Sequence, residues 1–226
     1  MSSEERTDSE IGKRLAHRLR FGRVPDPAKA HGAWAYLVLS ILAGTLTATG
    51  RGLLPAFLVG VGFAGVFLCA SAVALVGRPG MTTRLAVGLL LAVGGPGAAV
   101  YLGASASFFA FSLVALAPAA LAGYCAEKRG IMSPQAMAFA VVALVVAAPS
   151  SACAGGASAS TGLLLLILLA PFFAYRTWKV RDAITSQTGW TRSKLKKQGM
   201  TEALYGLGWI AVVVLSFHLY AFFGPT

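Results

Sequence analysis

The chain has 226 residues, of which 57% are hydrophobic and 12% charged, and its formal net charge at pH 7 is +11. A soluble domain of this size cannot bury so much apolar surface, and the apolar runs are long enough to cross about 30 Å of hydrocarbon. The runs are apolar on every side, which excludes a transmembrane β-barrel with its alternating pattern. A multi-pass helical membrane protein is therefore predicted, whose basic charge is typical of membrane topology and lipid contact rather than of nucleic-acid binding.

The first thirty residues are polar and basic, and no apolar core or cleavage site of a signal peptide precedes the first apolar run. Residues 1–30 are predicted to form a cytoplasmic tail ahead of a transmembrane domain at 31–226. A basic amphipathic helix over 10–23, lying on the membrane surface, and a disordered tail both fit this composition. The cations of the tail are Arg6, Lys13, Arg14, Arg18, Arg20, Arg23 and Lys29.

Seven apolar runs follow and predict an all-α fold, a polytopic transmembrane helical bundle of about seven spans. Small residues recur at helical spacing within several runs, which favours close helix–helix packing in lipid. The runs cover 33–49, 53–76, 85–102, 105–124, 135–152, 161–175 and 201–222.

The cations lie almost entirely on alternate loops. Eighteen of the nineteen Lys and Arg residues fall in the tail and in the second, fourth and sixth loops, and only Arg51 falls on the other side. Because positive charge resists translocation, the N-terminus is predicted to be cytoplasmic and the C-terminus to be outside. The alternation also supports the count of seven, since one missed span would disturb it.

Two stretches of the chain repeat each other at an offset of 53 residues. The sequence Gly-Ala-Ser-Ala-Ser at 103–107 recurs at 156–160, and thirteen of the 47 aligned positions of 84–130 and 137–183 are identical. One interpretation is a tandem, parallel helical-hairpin repeat with both tips facing outward. Chance similarity between segments rich in Ala, Gly and Ser is the other. In the first interpretation, Ser105 and Ser158 cap the helices that return from the tips.

Prolines fall at matching positions of the two stretches, Pro96 with Pro149 and Pro118 with Pro171. Each proline removes one hydrogen bond from its helix and frees a carbonyl group. Breaks at matching positions of repeats are typical of transporter binding sites. Ordinary kinks between packed helices are the alternative.

The predicted spans carry no Asp, Lys or Arg away from their ends. The bundle therefore lacks the buried charges that mark ion and proton pathways, and the sequence has no paired carboxylates, P-loop or nucleophile elbow. Cys69, Cys125 and Cys153 are far apart and match no metal or redox spacing. We predict no catalytic residue, no metal site and no cofactor, and the sequence does not favour an enzyme.

Polar groups gather instead at the predicted cytoplasmic ends of the first, sixth and seventh spans. Glu202 is the one carboxylate inside a span boundary and needs a partner, for which Arg176 and His31 are the candidates. Such a cluster could bind a phosphate group, or it could be an interfacial anchor with one structural ion pair. Tyr36 and His218 are predicted to lie at headgroup depth. The candidate binding residues are Lys29, His31, Trp34, Arg176, Lys179, Glu202 and Tyr205, and the candidate lipid-headgroup residues are Arg192, Lys194, Lys196 and Lys197.

Three segments at the two ends of the chain resemble the YwiC-like family of bacterial integral membrane proteins. They are His31-Gly-Ala-Trp34, Arg176, and the stretch Lys-Gln-Gly-Met-Thr-Glu that ends at Glu202. The resemblance implies a multi-pass protein of the bacterial cytoplasmic membrane, and it implies no catalytic role because the family has no established activity. A looser similarity to UbiA-type prenyltransferases implies a helical bundle with aspartate-rich loops, which this sequence lacks.

Two classes of function follow from these observations. The first is a non-enzymatic protein of the bacterial cytoplasmic membrane whose cytoplasmic face binds anionic lipid or a phosphorylated small molecule. The second is a small transporter built on parallel hairpin repeats, and a lipid-modifying enzyme that uses His31 and Glu202 is a weaker third. Membrane lipids, mainly anionic ones, are the expected partners; nucleic acid is not, and assembly into a homo-oligomer stays open.

Overall fold

The computed structural model describes residues 31–48, 50–73, 80–130, 133–186 and 192–223. Within these ranges the regular structure is helical. The predicted tail at 1–30, with Lys29, lies outside them. The helices are α1 (His31–Thr47), α2 (Leu53–Val73), α3 (Met81–Tyr101), α4 (Ser107–Val114), α5 (Leu116–Arg129), α6 (Pro134–Val145), α7 (Ala147–Ala154), α8 (Ala159–Ser186) and α9 (Arg192–Phe223), with a 3₁₀ turn at Gly50–Gly52.

Six helical segments in the described part of the chain are long and apolar enough to cross a membrane. The pair α4 and α5 forms one such segment, the pair α6 and α7 forms another, and α1 is a shorter apolar helix. The prediction of a helical multi-pass membrane protein is confirmed as a class, whereas the count of seven depends on α1 and stays a prediction. The six segments are Gly50–Ala72, Met81–Tyr101, Ser107–Arg129, Pro134–Ala154, Ala159–Asp182 and Lys197–Phe223.

Helices α8 and α9 extend well beyond the predicted spans. α8 continues to Ser186, although its apolar run ends at 175, and α9 begins at Arg192, although its apolar run begins at 201. Hydropathy marks where a helix leaves the hydrocarbon, and the Arg, Lys, Gln and Met residues beyond that point are good helix formers. Much of the basic sixth loop is therefore helical, while 187–191 lie outside the described residues.

Two helix breaks each lie three residues before a proline. α4 gives way to α5 ahead of Pro118, and α6 gives way to α7 ahead of Pro149. A proline cannot donate to the carbonyl four residues back, and its ring crowds that carbonyl, so the turn in front of it is weakened. Helices α3 and α8 pass through Pro96 and Pro171 without a break. The breaks therefore do not stand at matching positions of the two repeated stretches, contrary to the transporter-like pattern.

The two predicted hairpin tips share one backbone conformation. Gly103 has a φ of 87° and Gly156 a φ of 92°, in the left-handed region that favours glycine. At each tip the glycine N–H donates to the carbonyl three residues back and the next N–H to the carbonyl five residues back, at 2.9 Å in the first tip and 3.0 Å in the second. This pattern is a Schellman C-cap. Ser158 caps α8 as predicted by accepting from the Thr161 N–H at 3.1 Å, whereas Ser105 makes a longer contact of 3.4 Å. Duplication of the whole hairpins stays a prediction.

Helix α7 is the centre of the bundle. All eight of its residues are buried, and it packs against α1, α2, α4 and α8. Small residues allow this packing, because a Cβ on Gly44 would lie 2.8 Å from the Ser151 Cβ and a Cβ on Gly52 would lie 2.9 Å from the Gly155 Cα. Gly44 lies against Ala148 and Ser151 while Ala48 lies against Gly155, so α1 and α7 run in the same direction. Close approach through small residues is the packing that membrane helices use.

Side-chain contacts show which helix ends lie together. Trp209 Nε1 donates to the Leu168 carbonyl at 3.1 Å, and Arg176 contacts Glu202, so α8 and α9 are antiparallel. The start of α6 lies against residues 177–181 of α8. We call this end, which holds residues 176–181, 197–202, 129 and 134, the basic end. Both glycine tips lie at the opposite end.

Candidate functional site

The ion pair between Arg176 of α8 and Glu202 of α9 is the central polar feature of the basic end. Arg176 Nε lies 2.6 Å from Glu202 Oε2, and Arg176 Nη2 lies 2.8 Å from Glu202 Oε1. The two side chains are only 16% and 9% exposed. This two-point geometry, in which a planar guanidinium meets a carboxylate edge to edge, is the strongest form of such a pair. The predicted proximity of Glu202 to Arg176 is confirmed.

Two further side chains complete the pair. Gln198, one helical turn before Glu202, donates from Nε2 to Glu202 Oε1 at 2.8 Å. The guanidinium carbon of Arg176 lies 4.2 Å from the centre of the Tyr205 ring, where the electron-rich face attracts the cation. The carboxylate thus accepts three hydrogen bonds, and the arginine is engaged on its edge and on its face. The arrangement joins α8 to α9 and leaves little of either charge for a ligand.

Tyr36 of α1 reaches the same pair, which the sequence did not predict. Its side chain is only 8% exposed, and its ring centroid lies 5.0 Å from that of Phe173, three residues before Arg176 on α8. The ring points into the bundle, and its position at headgroup depth stays a prediction. The sequence did contain a signal for this burial. Leu39 and Ala43 follow Tyr36 by three and seven residues, which places all three on one face of α1, and that face is buried.

Two other candidate residues lie away from the ion pair. Trp34 lies two residues before Tyr36, on another face of α1, and packs edge-on against Phe67 of α2 at 4.9 Å between ring centroids. Lys179 extends outward, with its ammonium nitrogen 5.6 Å from the centre of the Tyr175 ring. The side chain of His31 lies outside the described residues, as do those of Arg192, Lys194 and Lys196, while Lys197 is exposed. Of the seven candidate binding residues, the structure thus joins Arg176, Glu202 and Tyr205.

Aromatic rings surround the pair on its outer side. Tyr175, Trp178 and Tyr205 are 50–56% exposed, and the ring centroids of Tyr175 and Trp178 are 6.3 Å apart. Half-exposed tyrosine and tryptophan rings are typical of the layer where a membrane meets water. The basic end therefore has the side-chain character of a membrane interface.

His218 makes a contact that links two helices at the opposite end. Its Nε2 lies 2.8 Å from the Leu46 carbonyl oxygen, in the last turn of α1. A carbonyl only accepts, so the ring donates from Nε2. Carbonyls in the last turn of a helix have no partner within that helix, so this bond satisfies one of them. His218 is exposed, as expected of a headgroup-depth residue, and it also fastens α9 to α1.

Three unpartnered hydroxyl groups of the interior belong to α1 and α7, two helices that pack together. Ser40, Thr45 and Ser151 have buried hydroxyl oxygens without a hydrogen-bond partner among the described residues. Ser40 and Ser151 are fully buried. Buried hydroxyls in proteins nearly always have a partner, so this seam is the unusual polar feature of the interior.

The described residues do not form a metal-binding site. No three His, Cys, Asp or Glu side chains there lie close enough together to hold a metal ion. The three cysteines are free thiols. Cys153 is buried within α7, and Cys69 lies against Gly88 of α3, where each acts as a small apolar side chain.

Comparisons with known proteins found no relative of this chain. No family model matches the chain, and neither a curated protein nor a solved structure matches it.

Proposed function

We propose that the protein is a multi-pass membrane protein whose basic end faces the cytoplasm and binds the headgroups of anionic lipids. One observation carries the proposal: exposed cations and half-exposed aromatic rings share this end. Lys179 lies over Tyr175, with Trp178 beside them, and Lys197 is exposed on α9. Aromatic rings with neighbouring cations are typical of the headgroup layer.

The ion pair narrows the set of lipid-binding residues. Arg176 is balanced by Glu202, so its role is to hold α8 against α9 rather than to meet a phosphate. The binding cations are those outside the pair, and each contributes about 1 kcal/mol near an anionic surface. They include Lys179, Arg181, Arg192, Lys194, Lys196 and Lys197.

Orientation and span count belong to the same proposal. Helix α1 has 17 residues, the lower limit for crossing the hydrocarbon. It lies beside the central helix α7 with Leu37, Leu39 and Ala43 buried, which supports a crossing. Seven spans then place the N-terminus inside and the C-terminus outside. A home in a bacterial cytoplasmic membrane and membership of the YwiC-like family are proposed with it, on the residues that carry the resemblance.

Native mass spectrometry of the purified full chain tests the proposal. The protein is incubated with phosphatidylglycerol or with phosphatidylcholine, and the lipids that stay bound are counted. We expect phosphatidylglycerol to be retained in preference, and we expect K179Q/K197Q to lower its retention because two of the binding charges are lost. The matched control is R51Q, since Arg51 is exposed at the opposite end. Equal retention of both lipids, or an equal effect of R51Q, would contradict the proposal.

A transporter is the second candidate, favoured by the buried hydroxyls of the α1–α7 seam. Transport requires a polar path through the bundle, and Ser40 and Ser151 are the fully buried polar groups without partners on which such a path could form. The enzyme alternative with His31 and Glu202 has no comparable support, because Glu202 is held by Arg176.

Cysteine accessibility distinguishes a polar path from a dry bundle. S40C and S151C are made in a background without the three native cysteines and treated in vesicles with a charged maleimide. Modification of both at rates close to that of an S105C control, which is exposed in the tip between two spans, would support a water-filled path. If both cysteines are protected, no water reaches the interior and the transporter proposal is contradicted.

A further inference from the structure

A shallow groove lies between the start of α6 and the end of α8 at the basic end. Its volume is about 160 Å³, below the roughly 300 Å³ of pockets that enclose a whole small molecule. It therefore fits a segment of a longer molecule. Most of its wall is apolar, formed by Met137, Ala138, Ala174 and Trp178, with Thr177 and Arg181 as polar members.

The polar rim of the groove is positive. Arg181 lines the groove and has other polar contacts too, but a guanidinium has five N–H donors and can serve several acceptors. The N-terminus of α6 opens at the same place, with Ser133 accepting from the Ala136 N–H at 3.3 Å. The N–H of Gln135 has no partner within the helix, and no acidic residue lies in the first turn. The rim thus complements an anion.

We propose that this groove is a binding site for one anionic phospholipid. The upper carbons of an acyl chain lie along Met137, Ala138 and Ala174, and the phosphate meets Arg181 at the rim. This inference deepens the proposed function and rests on it, since it names one defined site among the cations of the basic end. Half-exposed Trp178, at the edge of the groove, places it at the depth where acyl chains join headgroups.

The shape of the groove argues for a lipid rather than for a second copy of the chain. A helix with its side chains is about 10 Å across, and a groove of about 160 Å³ is too small to seat one. An acyl chain is thin enough to lie in it. The apolar wall and the cationic rim match the two parts of a phospholipid, whereas a soluble phosphate compound would use only the rim.

Two variants and two matched controls test the site in the full-length protein. A138F fills the groove at an exposed position of α6, and R181Q removes the rim charge; A86F and R51Q make the same changes at an exposed position of α3 and in the exposed 3₁₀ turn at the opposite end. Native mass spectrometry with phosphatidylglycerol gives the number of lipids that resist dissociation. We expect the most resistant lipid to be lost in A138F and its occupancy to fall roughly fivefold in R181Q, as one charge near 1 kcal/mol implies. The controls should match the parent.

Each outcome decides between the two proposals. If the parent retains phosphatidylglycerol and K179Q/K197Q lowers it, but A138F and R181Q behave like their controls, the groove is not the site and the proposed function stands. If the parent shows no preference for phosphatidylglycerol, both fail. If A138F instead converts a dimer to a monomer, the groove is an interface between copies and the inference is overturned. Size-exclusion profiles identify a misfolded variant, in which case A174F, on the other wall, repeats the test.

Discussion

Gly65 and Gly88 face each other across the contact between α2 and α3. A Cβ on Gly65 would lie 2.6 Å from the Gly88 carbonyl oxygen, and a Cβ on Gly88 would lie 2.9 Å from the Gly65 carbonyl oxygen. The two backbones therefore touch without a side chain between them. In lipid, where apolar burial drives little helix association, such close contact supplies the packing energy.

G65A and G88A should each destabilise the protein by about 1–3 kcal/mol, the usual cost of forcing an extra carbon into a packed contact. The measurement is the thermal midpoint of the detergent-solubilised protein. G94A is the matched control, because Gly94 lies on the same helix as Gly88 with nothing within 4 Å of an added Cβ. That variant should be neutral or slightly stabilising, since alanine favours helix. Equal effects of all three would mean that α2 and α3 are not packed this closely.

Breaking the Arg176–Glu202 pair should cost about 2–3 kcal/mol. E202Q leaves the arginine without its carboxylate, and the expected loss is below the 3–5 kcal/mol of fully buried pairs because Arg176 keeps some access to water. The double variant R176Q/E202Q should be less destabilised than the sum of the single variants, since it leaves no unpaired charge. E127Q, at an exposed position of α5, is the control. Strictly additive effects would show that the two residues do not interact.

The glycines of the two tips should respond alike to substitution. G103A and G156A each place a side chain at a positive φ, which costs about 1–2 kcal/mol for a residue other than glycine. G97A, with no neighbour within 4 Å and a position inside α3, is the control. Midpoints from thermal unfolding measure the effect. A large loss in one tip and none in the other would count against equivalent hairpins.

Reporter fusions to the two termini decide between six and seven spans. Seven spans put the termini on opposite sides of the membrane, whereas six put them on the same side. We expect an N-terminal fusion to be active only with a cytoplasmic reporter and a C-terminal fusion only with an external one, as the positive charges indicate. The same side for both termini would show that α1 does not cross.

The sequence was sufficient to predict the helices, because apolar runs of this length occur mainly in helices that span a membrane. The partner of Glu202 was also predictable, since a carboxylate near hydrocarbon requires a cation and Arg176 was one of two at the right depth. Both inferences depend on composition and on chain order, which a single sequence contains.

The helix ends and the position of Tyr36 could not be predicted in the same way. Hydropathy reports the edge of the membrane, so the polar turns of α8 up to Ser186 were assigned to a loop. The burial of Tyr36 depends on its contact with Phe173 of another helix. Likewise, the breaks before Pro118 and Pro149, but not at Pro96, depend on how each helix is packed.

The burial of helix α7 limits which substitutions this protein can accept in the course of evolution. Its residues are Ala, Pro, Ser and Cys, and four neighbouring helices touch it, so a larger side chain would have to displace several helices at once. Exchange there is restricted to residues of nearly equal volume. The outer faces of α3 and α5 carry no such restriction, and any apolar residue serves them. Among natural variants of this chain, α7 should therefore change least in size and α3 and α5 should change most in identity.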